Sequence, residues 1–363
     1  MKKLLFSLSF ILPVSAQALP LFEIEQTQTK LELTGSLRVN ISGSTTRTQE
    51  ANGTEDRSHL SPAFTNDSSR FGFKLTQGLG DGFYSVGNVE WRFRGTSDSR
   101  HNFDDIYTRQ LNIGIGHKDY GELLYGNILS ILDEVRRTDL ANDLTISYPL
   151  ITSLQRRILQ YTHTIDRLRF GVFYGGASPR NGLGLDLVGK RKNTWGGGVI
   201  YTQPFSDTQS MKISAGFLRE QFHNSAQNPS IYRISTYAFG VSHTLNGTTL
   251  ALDLEQRRTN HQTFAENKRI ENDIRVALVQ QMNDKWRVYG QYGQLRNKLQ
   301  SRQQANTKEI NRRFTLGTDY FIVPTYVKLF VEFRQDNRKV YQDEQFQRKI
   351  RERTTAVGMR VYW

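Results

Sequence analysis

The side chains in this 363-residue chain that could do chemistry are plentiful but badly placed for catalysis. Seven histidines, His59, His101, His117, His163, His223, His243 and His261, are scattered over loops, turns and strand ends. Ser242 and His243 are adjacent, which on a strand aims them at opposite faces and prevents a nucleophile–base pair. No H-E-x-x-H or G-x-S-x-G pattern occurs, and the pair Asp104-Asp105 reads as a solvated loop feature. The chain contains no cysteine, which excludes thiolate nucleophiles, disulfide frameworks and cysteine-ligated metals. No catalytic residue, metal site or cofactor site is assigned; a hydrolytic site built from several loops would leave no spacing signature.

What remains is fixed charge. The formal net charge is +13, and the bases are spread along the chain rather than gathered in one helix or patch. A wall carrying such charge attracts lipid phosphates or small anionic solutes. Nucleic acid is set aside as a partner because the amino terminus carries an export signal. Lys2 and Lys3 precede an apolar run from Leu4 to Val14, and Ala16 and Ala18 flank Gln17. This is the charged, apolar and A-x-A order of a secretory signal peptide. Residues 1–18 are therefore expected to be removed, leaving residues 19–363 as one domain.

Charges in that arrangement need elements that hold them on one face, and period-two patterning supplies such elements. From Leu31 to Ser42, Leu31, Leu33, Gly35, Leu37, Val39 and Ile41 alternate with Glu32, Thr34, Ser36, Arg38, Asn40 and Ser42. That run is longer than an ordinary strand of about five or six residues, and a strand tilted across a bilayer needs about nine to eleven. The pattern recurs through Phe71–Leu75, Val89–Phe93, Leu111–Ile115, Leu168–Tyr174, Leu250–Leu254, Ile274–Leu278 and Val327–Phe333. Asn246-Gly247 is a strong hairpin signal. Short turns are expected near Gly80, Asp119, Asp166, Ser206, Asn246, Asp284 and Pro324. Longer polar loops are expected near Asn52, Ser97, Asp139, Arg180, Asn224, His261, Ala305 and Gln342.

Sorting short turns to one end and long loops to the other is the arrangement of a transmembrane barrel. The mean hydropathy of −0.56 does not oppose it, because only alternate strand residues meet lipid. The expected fold is all-β, a transmembrane antiparallel barrel of sixteen strands. Its last strand ends on Val357, Met359, Val361 and Trp363 on one face, opposite Gly358, Arg360 and Tyr362, and closes on the first strand.

Ordered segments of the chain resemble the general diffusion porins of Gram-negative bacteria. They are Leu33-Thr34-Gly35, Ser69 to Lys74, Arg109 to Gly116, Tyr120 to Gly126 and the terminal Val357 to Trp363. The resemblance implies an outer-membrane homotrimer whose third long loop, here Ile128 to Leu154, folds into the pore. It also implies a constriction between the loop acids Asp133, Glu134, Asp139 and Asp143 and a basic cluster on the wall. Arg70 matches a wall arginine of the family. Arg38 shares the face of Ser36, where some members carry a base, and Arg156 and Arg157 lie near a further family arginine. Val357, Met359, Val361 and Trp363 would then be the signal read by the barrel-assembly machinery. Two departures stand out: the proline-glutamate-phenylalanine-glycine stretch of the loop is missing, and Trp363 replaces the usual phenylalanine.

The function so implied is passive diffusion of small hydrophilic solutes, with no enzymatic step. A barrel used mainly for surface adhesion or anchoring is the alternative. On the predicted lumen face bases outnumber acids, which favours weak anion selectivity or near-neutrality; cation preference follows if the loop acids dominate. Arg137, Arg191, Lys192, Arg302 and Arg348 near the loops are candidates to meet lipopolysaccharide phosphates.

Overall fold

In lipid every backbone N–H and C=O must find its partner within the protein, so a β-structure can span only as a closed ring. The computed structural model describes residues 18–93, 106–140, 149–181, 186–223, 232–261, 268–301 and 305–363. Its strands run in order β1 (Leu19–Ile24), β2 (Thr29–Glu50), β3 (Glu55–Asn66), β4 (Arg70–Gly80), β5 (Phe83–Phe93) and β6 (Ile106–His117). There follow β7 (Gly121–Leu129), β8 (Leu154–Ile165), β9 (Leu168–Gly175), β10 (Ser178–Arg180), β11 (Asp186–Ser206), β12 (Gln209–Phe222) and β13 (Tyr232–Leu245). The last six are β14 (Thr248–His261), β15 (Lys268–Gln281), β16 (Trp286–Gln300), β17 (Thr307–Val323), β18 (Val327–Gln342) and β19 (Gln345–Tyr362).

These make sixteen staves of one antiparallel barrel. β3 and β4 form a single stave, because the lower half of β2 pairs with β4 from Thr29↔Gln77 to Ser36↔Arg70 and its upper half with β3 from Val39↔Asn66 to Gln49↔Glu55. β9 and β10 likewise share a stave against β11. β19 pairs with β2 from Arg348↔Glu50 to Tyr362↔Ser36, which closes the ring. Below that seam β1 pairs with β2 over Leu19↔Leu33 to Ile24↔Thr29. Trp363 exchanges two backbone hydrogen bonds with Gly35 (3.0 and 3.3 Å).

The exposure pattern is the reverse of a water-soluble sheet. On β15, Ile274, Val276 and Leu278 are exposed while Asp273, Arg275 and Ala277 are buried. The same inversion runs around the ring, through Leu111, Ile113 and Ile115 on β6 and Leu329 and Val331 on β18. Apolar side chains exposed in continuous bands fit a lipid solvent, with charge kept to the lumen side.

Asn246 and Gly247 both have positive φ (47° and 80°), as the tight hairpin there requires. Two expected long loops are short: residues 51–54 link β2 to β3, and 343–344 link β18 to β19. The strands simply continue past the membrane, β2 to 22 residues and β19 to 18. Beyond the lipid both faces are polar, so hydrophobic period-two patterning vanishes although the ladder of hydrogen bonds persists. His101, Asp104 and Asp105, residues 1–17 of the expected signal peptide and the expected loop base Arg302 lie outside the described residues.

The lipid-facing assignment can be tested at Ile113, 67% exposed on β6. Ile113→Lys is expected to lower unfolding free energy in lipid vesicles by about 2–4 kcal/mol, the penalty for a cation near the bilayer midplane. Unchanged denaturant midpoints would mean that this face does not meet lipid.

Candidate functional site

The chain between β7 and β8 turns inward because it carries its own apolar stripe. Ile131, Leu132 and Val135, in a short 3₁₀ turn over Ile131–Val135, are essentially fully buried. They pack on the inner face of the barrel against Ile158, Phe173, Ile200, Leu218 and Ala238. Close approach requires that the wall be bare: a Cβ on Gly216 would lie 2.9 Å from Leu132 Cδ2, and one on Gly198 3.0 Å from Val135 Cγ2. A strand interior normally disfavours glycine; here its absent side chain is the socket for the loop.

Polar groups then fix the loop's course. Its neck is tied by Ser130 N–H and Oγ, both donating to Ser153 O (2.8 and 2.7 Å). Ile131 N–H donates to Gln160 Oε1 (2.9 Å), and Ser214 Oγ donates to Val135 O (2.6 Å). Two carboxylates on β14 hold the loop further on. Asp253 accepts from Arg137 N–H (2.8 Å), Thr138 N–H (2.9 Å) and Thr138 Oγ1 (2.6 Å). Glu255 accepts from the backbone N–H groups of Leu150 and Ile151 (2.9 Å for the latter). Arg275 on β15 lies between them, paired with Glu255 and with Asp273 (2.8 Å) and 3.8 Å from Asp253. Gln291 Nε2 on β16 donates to Thr138 O (2.9 Å), and Leu140 packs on Val279 and Tyr289.

The described part of the loop therefore crosses the inner faces of β8 to β16. The inner faces of β2, β4 to β6 and β17 to β19 lie outside these contacts. They carry a connected group of guanidiniums. Arg38 Nε donates to Ser36 Oγ (2.8 Å) and its guanidinium sits 5.8 Å from the centre of the Tyr362 ring. Arg70 Nε approaches the same hydroxyl (3.4 Å). Arg38 is opposite Arg360 in register, and Arg70 is opposite Arg92. Glu90 pairs with Arg92 (3.1 Å) and Arg109 (2.8 Å) and accepts from Gln110 (3.2 Å). Asp67 pairs with Arg360 (2.5 Å).

The loop acids have a different setting. Asp133 pairs with Arg136 and accepts from Ser153 Oγ (2.9 Å). Burial disfavours charge on Arg136, but Asp133 beside it, with Asp139 and Glu255, holds its guanidinium above the ordinary arginine range. Glu134 pairs with Arg169 on β9 (2.8 Å). Asp139 is exposed to the lumen, and Asp143 lies outside the described residues. Arg156 donates to the backbone oxygens of Asn181 (2.6 Å) and Thr108 (3.2 Å). Arg157 is exposed, in a positive-φ bulge (51°), and donates to Ala177 O (3.5 Å). Of the expected bases, Arg38 and Arg70 come together; Arg156 and Arg157 brace the start of β8.

Sequence reasoning missed Arg109 and the fastening role of Asp253, Glu255 and Arg275. By strict alternation Arg109 shares the lipid face of Leu111 and Ile113. A bulge between Glu90 and Trp91 of β5, opposite Gln110 and Thr108, turns it to Glu90 instead. No period-two signal announces a bulge.

Comparison with known proteins gives one answer. A family model described as Gram-negative porin matches residues 12–340. The "Major outer membrane protein" of Pasteurella multocida is 23% identical over 311 residues, 80% of this chain and 81% of that protein. Among solved structures, in-vitro folded OmpT of Vibrio cholerae in its trimer form aligns with a TM-score of 0.65 at 15% identity, over 92% of this chain and 99% of that one. The anion-selective porin from Comamonas acidovorans aligns at 0.61 and 14% identity, over 92% of this chain and all of the other.

Asp253→Ala tests the fastening. It strands two buried N–H groups and a hydroxyl and removes an acid beside Arg275, a class of change that costs about 3–5 kcal/mol. The expected result is faster limited proteolysis within residues 130–153 and a flickering single-channel current, with the barrel itself still protease-resistant. Wild-type cleavage rates and steady current would show that the loop is held by its apolar face alone.

Proposed function

The chain belongs to the Gram-negative porin family and is a non-enzymatic outer-membrane channel for passive diffusion of small hydrophilic solutes; from that premise we propose that its passage is narrowed by the inward loop and biased toward anions by the uncovered wall. The observation that carries this reading is the balance of charge there. In the cluster formed by β2, β4 to β6 and the end of β19, Arg38, Arg70, Arg92, Arg109 and Arg360 stand against Glu90 and Asp67. The other inward acids of this wall have their own partners: Glu32 with Lys30, Asp319 with Arg287 and Lys328, Asp336 with Arg313 and Arg334, Glu352 with Arg334, and Glu332 with the Tyr289 hydroxyl. Across the lumen Asp133, Glu134, Asp253 and Glu255 spend their charge on Arg136, Arg169, Arg275 and loop N–H groups. A ring of fixed charge sets selectivity most strongly where it is not already paired. Among the described loop acids, Asp139 is the one left to oppose the wall. The likeness to a porin described as anion-selective agrees with this balance.

Further readings go with it. Residues 1–18 act as the export signal. The protein assembles as a homotrimer, in keeping with the trimer form of the OmpT neighbour. Val357, Met359 and Val361 share the outward face of β19, alternating with the inward Arg360 and Tyr362, and with Trp363 just beyond the strand they serve as the signal for the barrel-assembly machinery. Its surroundings are outer-membrane lipid and lipopolysaccharide.

Reversal potential in a salt gradient tests the selectivity. Wild type is expected to favour anions, and Arg38→Ala with Arg70→Ala to lower the anion-to-cation permeability ratio about two- to fivefold, within the roughly 1 kcal/mol of Coulomb energy available in water. The bias should fade toward 1 M salt, where the Debye length is about 3 Å. A cation preference in wild type, or a ratio untouched by both substitutions, would overturn the assignment. A barrel serving only as an anchor would give no stable conductance steps. For the assembly signal, Trp363→Phe is expected to match or exceed wild-type yield of heat-stable trimer, and Trp363→Ser to reduce it several-fold; equal yields from all three would remove the terminal aromatic from that role.

A further inference from the structure

Where the inward loop returns to the wall, at the outer ends of β8, β10, β11 and β12, lies a pocket of about 150 Å³. It is built on other strands than the guanidinium cluster of β2, β4 to β6 and β19. Leu154 and Phe222 form its apolar side. Both are buried, and Phe222 stacks on Tyr232 with 4.4 Å between ring centres. Its polar side is Gln155, Arg180, Arg191 and Glu220.

The charges of this pocket do not cancel within the protein. Arg191, expected from its place near a loop to meet lipopolysaccharide phosphates, is instead buried in the inner wall. Its fork is committed to neutral oxygens: Gly176 O (3.4 and 3.2 Å), Arg156 O and Gln155 Oε1 (3.3 Å). Those bonds fix the guanidinium without neutralising it. Arg180 is exposed at the rim, where Arg156 donates to the backbone oxygen of Asn181 (2.6 Å).

Glu220 is the one carboxylate among the lining residues. Among the described residues no hydrogen bond or ion pair holds it. Arg257, a base of the neighbouring inner wall, is taken bidentately by Glu271 (2.6 and 2.7 Å). A partly buried carboxylate without a donor is costly, and such a group in a native fold calls for an explanation.

The arrangement selects against simple ions. An anion attracted by Arg180 and Arg191 also meets the Glu220 carboxylate, and a cation attracted by Glu220 meets two guanidiniums. A solute carrying both signs, with carboxylates in excess, matches all three groups. The volume has the room of roughly five liquid waters at about 30 Å³ each, which suits a short-chain metabolite and excludes a peptide or sugar chain.

We propose that this pocket captures an acidic α-amino acid at the outer mouth. The ammonium donates to Glu220, and one carboxylate takes the Arg180 fork, a geometry that guanidinium and carboxylate share. The second carboxylate lies in the field of Arg191, and the methylene chain rests on Leu154 and Phe222. A solute in a pore must leave as readily as it enters, so the expected dissociation constant is on the order of 1 mM. The inference rests on the diffusion-channel reading and deepens it by naming a solute class.

The test uses full-length protein refolded from denaturant into non-ionic detergent and titrated with L-aspartate, with binding read by saturation-transfer NMR of the solute. Parallel arms use succinate, which lacks the ammonium, and L-alanine, which lacks the second carboxylate. Wild type is expected to bind L-aspartate at least about tenfold more tightly than either, the scale of one charged hydrogen bond. Glu220→Gln should weaken L-aspartate by a similar factor yet bind succinate as well as wild type or better, because a repelling carboxylate is gone. Opposite responses to two solutes in one variant exclude general damage to the fold. Arg180→Gln, at the exposed rim, should weaken L-aspartate and succinate alike and serves if Glu220→Gln does not fold. Equal wild-type affinity for succinate or L-alanine, no saturable binding of L-aspartate, or unchanged L-aspartate affinity in Glu220→Gln would each overturn the proposal. Conductance is recorded on the same preparations in planar bilayers. A conducting wild type that fails to bind L-aspartate removes the capture site and leaves the channel standing, whereas a wild type without conductance counts against the channel itself.

Discussion

The whole architecture depends on one requirement, that no backbone hydrogen-bonding group face lipid without a partner. A sheet satisfies it only by closing, and the seam between β19 and β2 is where closure happens. Fifteen residue pairs in register, from Arg348↔Glu50 to Tyr362↔Ser36, join the two ends of the chain, and β1 continues the covering of β2 below them. Closure also fixes the environment of every side chain, because each strand then has one face toward lipid and one toward the lumen. Charge inside and apolar residues outside follow from that geometry rather than from any local preference.

Within the ring the lumen divides into two electrostatic halves. On the β8 to β16 side the wall is packed by the inward loop, and its acids are consumed as hydrogen-bond acceptors and ion-pair partners. Asp253 and Glu255 are nearly inaccessible and accept from five loop donors between them. Burying those carboxylates is tolerable because Arg275 lies against them. On the other side the guanidiniums of Arg38, Arg70, Arg92, Arg109 and Arg360 form one cluster with Glu90 and Asp67, and further along β17 to β19 Asp319, Asp336 and Glu352 pair with Arg287, Lys328, Arg313 and Arg334. The proximity of the clustered guanidiniums is held by nearby partners: Arg38 on the Ser36 hydroxyl and the Tyr362 ring, Arg360 on Asp67 and the Phe330 ring, and Arg92 and Arg109 on Glu90. The loop thus does two things at once: it narrows the passage and removes acids from the field that a passing ion feels.

The legible part of this design was the part written in period two. Leu31 to Ser42, Ile274 to Leu278 and Val327 to Phe333 revealed strand, face and membrane together, because lipid imposes an alternation that nothing else in the sequence imitates. The inward position of Arg38, Arg70 and Arg360 came with it. What stayed hidden lies where alternation is broken or has no contrast. Arg109 is turned inward by a bulge. The upper parts of β2, β3, β18 and β19 are polar on both faces and read as loops. The pairing of Asp253 and Glu255 with loop N–H groups more than 100 residues away is a tertiary event with no local mark. Neither is the socket formed by Gly198 and Gly216, which in sequence looks only like a weakened strand.

The same alternation lets one strand address two media independently. On β19, Arg360 faces inward to Asp67 while Arg351 and Arg353 face outward to Asn337 and Gln335; the two sets differ only in parity. A slip of one residue would exchange them, so register is under constraint from both sides of the wall. That constraint explains why the like-charged neighbours Arg351, Arg47 and Arg57 persist in one outward row. Moving Arg47 or Arg351 away by re-registering would carry Arg38 or Arg360 out of the lumen and into lipid, where a cation costs about 2–4 kcal/mol near the midplane. Like-charge crowding on the outer surface, at most about 1 kcal/mol per pair, is the smaller penalty. A charge pattern that appears excessive on one face is therefore the consequence of a register set by the other.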